Sequence, residues 1–134
     1  MSDTPTWSTP PPPPPPRTDA PPAVKVEAAG NVLIARLLVR MLDDSAVRAL
    51  GRAIEDACWS LAPVTIEAVV IDMSAVAIVP SLALGLLVRL GDQCQSRRQT
   101  LRLASLQPQV RRVFAITRLD SVFEICATVD AARP

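Results

Sequence analysis

Between Val69 and Leu90 the chain reads VVIDMSAVAIVPSLALGLLVRL, a stretch that limits the folds open to it more than any other. The run from Ala68 to Ile71 is continuously apolar and mostly β-branched, the pattern of a strand buried on both faces. Asp72 ends it. Met73 to Pro80 bridge to Ser81, and from there Leu, Ala and Val recur as far as Leu90, so the pattern predicts a largely enclosed helix. A doubly buried strand, a short link and an apolar helix make a βα unit, which belongs in a sheet covered by helices. Ser81 stands at its turn. A helix start leaves backbone N–H groups without partners and presents positive charge, so a hydroxyl there caps the helix and a phosphate there is electrostatically welcome. The residue type and position fit both readings.

The other segments arrange themselves around that unit. Val24–Glu27 and Asn31–Val39 read as two strands turned at Ala28-Ala29-Gly30-Asn31. Asp43, Asp44 and Ser45 offer N-caps for a helix whose inner positions are Val47, Leu50, Ile54, Ala57 and Leu61, bounded by Pro63. Arg48, Arg52, Glu55 and Asp56 fall on its outer face. Trp59 lies near them, either half-buried at the helix end or a contact for a partner. Thr100–Ala104 alternates as a strand, and Pro108 opens a helix with inner positions Val110, Val113, Phe114 and Thr117. Val122–Cys126 is a last short strand, and Thr128 caps a helix begun by Val129, Asp130 and Ala131. The order ββαβαβαβ implies an α/β sandwich around a mixed sheet.

Composition removes several classes of function. There is no histidine, which eliminates the usual general base, a common metal ligand and every Ser/His or Cys/His pair. Cys58, Cys94 and Cys126 are widely spaced and odd in number, so neither a disulfide framework nor a zinc site is expected, and without a Gly-rich phosphate loop no cofactor is expected either. Aromatics are only 3% of the chain, so the core is built from Leu, Val, Ile and Ala. Seven arginines, Arg89, Arg97, Arg98, Arg102, Arg111, Arg112 and Arg118, lie in a stretch whose one acid is Asp92. Such a patch suits an acidic protein surface, whereas a net charge of +1 without interleaved aromatics argues against nucleic acid. Pro80 and Arg89 interrupt the longest apolar run, so the expectation is a cytoplasmic protein, without membrane insertion, as a monomer or weak dimer. Residues 1–22 hold ten of the fourteen prolines and are expected to be a disordered spacer or a ligand for aromatic grooves, leaving 23–134 as the folded domain.

In register over roughly residues 23–132, these segments resemble the STAS domain of bacterial anti-sigma factor antagonists and of sulfate transporters. Asp72-Met73-Ser74-Ala75-Val76 and Ser81-Leu82-Ala83-Leu84-Gly85-Leu86-Leu87 occupy the places of the family's Asp-Leu-Ser-Gly-Val and Asp-Ser-Ser/Thr-Gly-Leu-Gly segments. Gly30-Asn31-Val32-Leu33 resembles its second strand, and Val110 to Ile125 its closing helix, turn and short strand. The resemblance implies a protein that binds an anti-sigma factor, often also a serine kinase, and that is released when the serine at this turn, here Ser81, is phosphorylated. With no histidine and no plausible base for the serine, no enzymatic activity is expected. Asp72, Ser74, Pro80, Ser81, Leu82 and Arg89 are then the expected partner-binding residues. Pro80 departs from the family's Asp, Leu82 from its second hydroxyl residue and Ala83 from its Gly. Those departures keep a second expectation open, a non-phosphorylated STAS subunit of a larger assembly such as a lipid-trafficking ABC transporter.

Overall fold

Gly30 and Asn31 turn the chain, with Gly30 at φ +63°, a left-handed conformation that glycine adopts at little cost. The computed structural model describes residues 23–62 and 64–132, so the proposed spacer, Trp7 and the bounding Pro63 lie outside the described residues. Because the turn spans two residues, Ala29 pairs with Val32: β1 runs Val24–Ala29 and β2 Val32–Leu37. The second strand thus stops two residues short of its expected end. There the chain turns away to the isolated bridge between Met41 and Ile78.

Helix α1 (Asp44–Ser60) starts where Asp43 Oδ1 accepts the Ala46 N–H at 2.8 Å, the cap expected from an acidic residue. Strand β3 (Ala68–Asp72) is buried along its whole length. Helix α2 (Ser81–Ser96), β4 (Thr100–Ala104), α3 (Pro108–Ile116), a 3-10 turn (Leu119–Ser121), β5 (Glu124–Cys126) and α4 (Val129–Ala132) follow. Val122, expected to open the last strand, follows the 3-10 turn instead and is exposed.

The five strands lie side by side in chain order, β1 antiparallel to β2 and the other three pairs parallel. Each parallel link needs a crossover, and α1, α2 and α3 supply the three. Leu33, Leu37, Val69, Ile71 and Leu103 point to the side where Leu50, Ile54, Leu87 and Phe114 from those helices meet them. On the opposite side Ile34, Val70 and Ala104 pack with Ala132 of α4. Arg102 fixes that last helix: Nε donates to Glu124 Oε2 at 3.0 Å and Nη1 to the Ala132 carbonyl at 2.8 Å. It is thereby withdrawn from the arginine patch.

Two expectations change. α2 is amphipathic rather than enclosed: Ala83, Leu84, Leu87, Leu90 and Cys94 are buried, while Leu82, Gly85 and Arg89 are exposed. A long apolar run cannot show which of its faces lacks a cover, and among the described residues no helix lies over this one. Trp59 is 77% exposed rather than half-buried, because α1 ends one residue later and no described residue covers the ring. Among the described residues, no helix is long and apolar enough to cross a membrane.

Candidate functional site

β2, β3 and β4 end on the same edge of the sheet, because they are parallel, and residues 73–80 cross that edge before α2 begins. In open α/β sheets this is the edge where binding residues collect. The segment is held on several sides. The Met73 N–H donates to the Ala104 carbonyl at 2.9 Å, Gln107 Nε2 donates to the Ser74 carbonyl at 2.8 Å, and the Ala77 and Ile78 N–H groups both donate to the Arg40 carbonyl. Its approach to α2 is therefore a fixed platform.

Asp72 starts that platform and is itself buried. It is 7% exposed; Oδ1 accepts the Ser74 N–H at 3.0 Å and Oδ2 accepts Arg36 Nε at 3.2 Å across the β2–β3 register. Both oxygens serve the chain itself, which corrects its expected place among partner-contacting residues to one that positions the loop. Asp72→Ala removes a charge-assisted bond and leaves the Ser74 N–H unpaired, so we expect stability to fall by about 2–3 kcal/mol. Amide exchange at Ser74 and Val76 should accelerate beyond that of the core strands. Urea unfolding and hydrogen exchange check both; an unchanged loop would remove Asp72 from this role.

Ser81 is not the N-cap. Pro80 holds that position at φ −63° and ψ 156°, with its carbonyl accepting the Leu84 N–H at 3.2 Å, and no side chain caps the helix. Ser81 is the first helical residue and is exposed, and its hydroxyl has no hydrogen-bond partner among the described residues. The proline's fixed φ sets the turn that a capping hydroxyl otherwise would, which leaves the serine free for the second reading.

Helical spacing puts Leu82, Gly85 and Arg89 on one face, with Ser81 at its head, and all four are exposed. Ser74, on the loop, is exposed as well, and Pro80 is half-buried. Leu82 is the most open of four apolar side chains at this end, with Leu38, Met41 and Ile78 each close to half exposed. Leu38, Met41 and Ile78 carry no signal of this in the sequence. They sit in linking segments, where no periodicity separates an inward from an outward position. Farther along, a cleft of about 320 Å³ between α1 and α2 is lined by Arg48, Arg52, Arg89 and Glu55 over Leu86 and Leu90. It gathers Arg89 with two arginines of α1 that the sequence had placed only on an outer face.

Burial pushes the Cys94 thiol up, with Arg97 acting against that and Cys58 adding to it, so the thiolate is disfavoured.

The model of the STAS domain family matches residues 24–132. No curated protein matches the sequence significantly. Among solved structures, the chain is similar to an anti-sigma factor antagonist from Mycobacterium paratuberculosis, at 27% identity and TM-score 0.64, covering 81% of this chain and 88% of that one. An anti-sigma-factor antagonist (STAS) domain protein from Planctomyces limnophilus is 21% identical with TM-score 0.65, covering 80% and 92%. The murine Solute Carrier 26 family member A9 anion transporter shares 13% identity with TM-score 0.66 over 79% of this chain and 18% of the transporter. The last two likenesses show the fold.

Proposed function

The chain belongs to the STAS domain family, and from that membership we propose that it is an anti-sigma factor antagonist, binding an anti-sigma factor or serine kinase through the exposed face of α2. STAS proteins of the anti-sigma antagonist group are binding regulators rather than enzymes. One observation carries the reading: Ser81 stands exposed, its hydroxyl without a hydrogen-bond partner among the described residues, at the head of a face made of Leu82, Gly85 and Arg89. A phosphate on Ser81 brings about −1.5 to −2 charges to the middle of a docking surface. The helix N-terminus tolerates that charge, so the domain itself stays folded while the partner is repelled. Arg48, Arg52 and Arg89 give the adjoining cleft a positive character that suits an acidic partner surface.

Two measurements test the switch. Intact mass after incubation with the cognate kinase and ATP should show one added phosphate on the wild type and none on Ser81→Ala; equal labelling of both removes Ser81 from the mechanism. Ser81→Asp should weaken partner binding about tenfold, roughly 1.4 kcal/mol, while the melting temperature stays nearly unchanged. A large loss of stability would mean that the serine is structural. Pro80 and Leu82, in place of the family's Asp and hydroxyl residue, support a second reading, a STAS subunit that docks through the same face without phosphorylation. Transporter subunits co-purifying with a tagged, unlabelled chain would favour it.

A further inference from the structure

β1 is an edge strand whose outer side pairs with nothing among the described residues. Its hydrogen-bonding phase follows from the Leu38 N–H donating to the Ala23 carbonyl at 2.8 Å, which sets Ala23 and every second residue after it facing β2. Val24, Val26 and Ala28 therefore turn their N–H and C=O groups outward. Their side chains lie on the helix-covered face, where Val24 and Val26 join the core, while Lys25 and Glu27 project from the opposite face. From this geometry we propose that β1 is a homodimerisation edge: two copies pair β1 antiparallel about a twofold axis through Val26, making one continuous sheet.

The register is chosen by charge. Only pairings that match outward-facing residues use both sets of donors. Three such registers bring most of the two strands together. Pairing Val26 with Val26 sets Val24 opposite Ala28 and places Lys25 beside the second copy's Glu27, twice, at the non-hydrogen-bonded positions where side chains approach closest. A shift one way opposes Lys25 with Lys25, and a shift the other way opposes Glu27 with Glu27. Both put like charges in contact. Twofold symmetry makes each favourable pair occur twice, as an isologous interface requires.

The helix above the edge has room for this. α1 packs its Leu50 and Ile54 into the core, and its Gly51 lies against Leu90 of α2. Helical spacing then puts Ala49, Ala53, Asp56 and Ser60 on the flank above the β1 edge, where Ala49, Ala53 and Ser60 are small enough to let a second α1 come close. The edge carries no proline or bulge, devices that usually keep such strands apart.

Sedimentation velocity on the full chain tests the proposal. The wild type should show a concentration-dependent dimer. Lys25→Glu alone and Glu27→Lys alone each set like charges opposite one another and should weaken dimerisation by about tenfold or more. An equimolar mixture of the two variants restores opposite charges at both positions and should recover a heterodimer. Val26→Pro removes an outward N–H without touching the β1–β2 ladder, and should leave a folded monomer by circular dichroism. Amide exchange at Val24, Val26 and Ala28 should slow as concentration rises. A wild type that is monomeric up to roughly millimolar concentration, single variants that dimerise as tightly as wild type, or a mixture that fails to recover would overturn the proposal. So would protection of those amides that does not depend on concentration, since that assigns the edge to a segment of the same chain.

Discussion

Phe114→Ala should unfold the domain more readily than any single substitution on the contact surface, lowering stability by about 3–5 kcal/mol. Phe114 is fully buried and is one of two phenylalanines in the chain. It meets the other, Phe123, edge to face, with ring centroids 5.9 Å apart at 79°. That pair ties α3, nine residues long, to the chain entering β5, a strand of three residues. Neither element is long enough to hold itself, since helices shorter than about 12–15 residues are marginal alone. Losing the ring leaves a cavity that the surrounding core fills only in part. Phe114→Leu, which keeps most of the volume, should cost markedly less. Urea unfolding of the two variants checks this, and a loss below about 1 kcal/mol for the alanine variant would mean that the site collapses around it.

That core was largely legible in the sequence, for a physical reason. Val47, Leu50 and Ile54 on α1 and Val110 and Phe114 on α3 recur at helical spacing among polar residues, so the direction of burial is written in the contrast. The apolar stretch of α2 lacks that contrast. Leu82 and Leu84 are the same residue type, yet one is 67% exposed and the other 7%. What separates them is whether another element lies over the helix, and composition does not carry that. The same limit explains Asp72. An acidic residue at the end of a buried strand reads as a contact until Arg36, thirty-six positions earlier, is found beside it. Ser81 failed as a cap because Pro80 already fixes the turn geometry, a local conflict between two residues that each favour a helix start.

The exposed leucine leads to the largest expected effect on binding. Leu82→Asp should reduce affinity for the protein partner by roughly a hundredfold, about 2.7 kcal/mol, with folding unaffected. Leu82 sits next to Ser81 on the open face of α2, at the end of the molecule that also exposes Ile78 and Met41, so an interface formed here buries it near its centre. Apolar anchors in that position dominate interface energy once water is excluded, and a carboxylate placed there must be desolvated without a partner. Stability should hardly change, because the side chain is 67% exposed and an acidic residue in the first turn suits the helix dipole. That asymmetry separates the contact role from a structural one. Leu87→Asp, five positions farther along α2 and on its buried face, should fail to fold under the same conditions, while Leu82→Asp should melt like wild type and not bind. Calorimetric titration against the proposed anti-sigma factor partner, alongside thermal unfolding of each variant, makes the comparison. Wild-type affinity in Leu82→Asp would move the interface off α2 altogether.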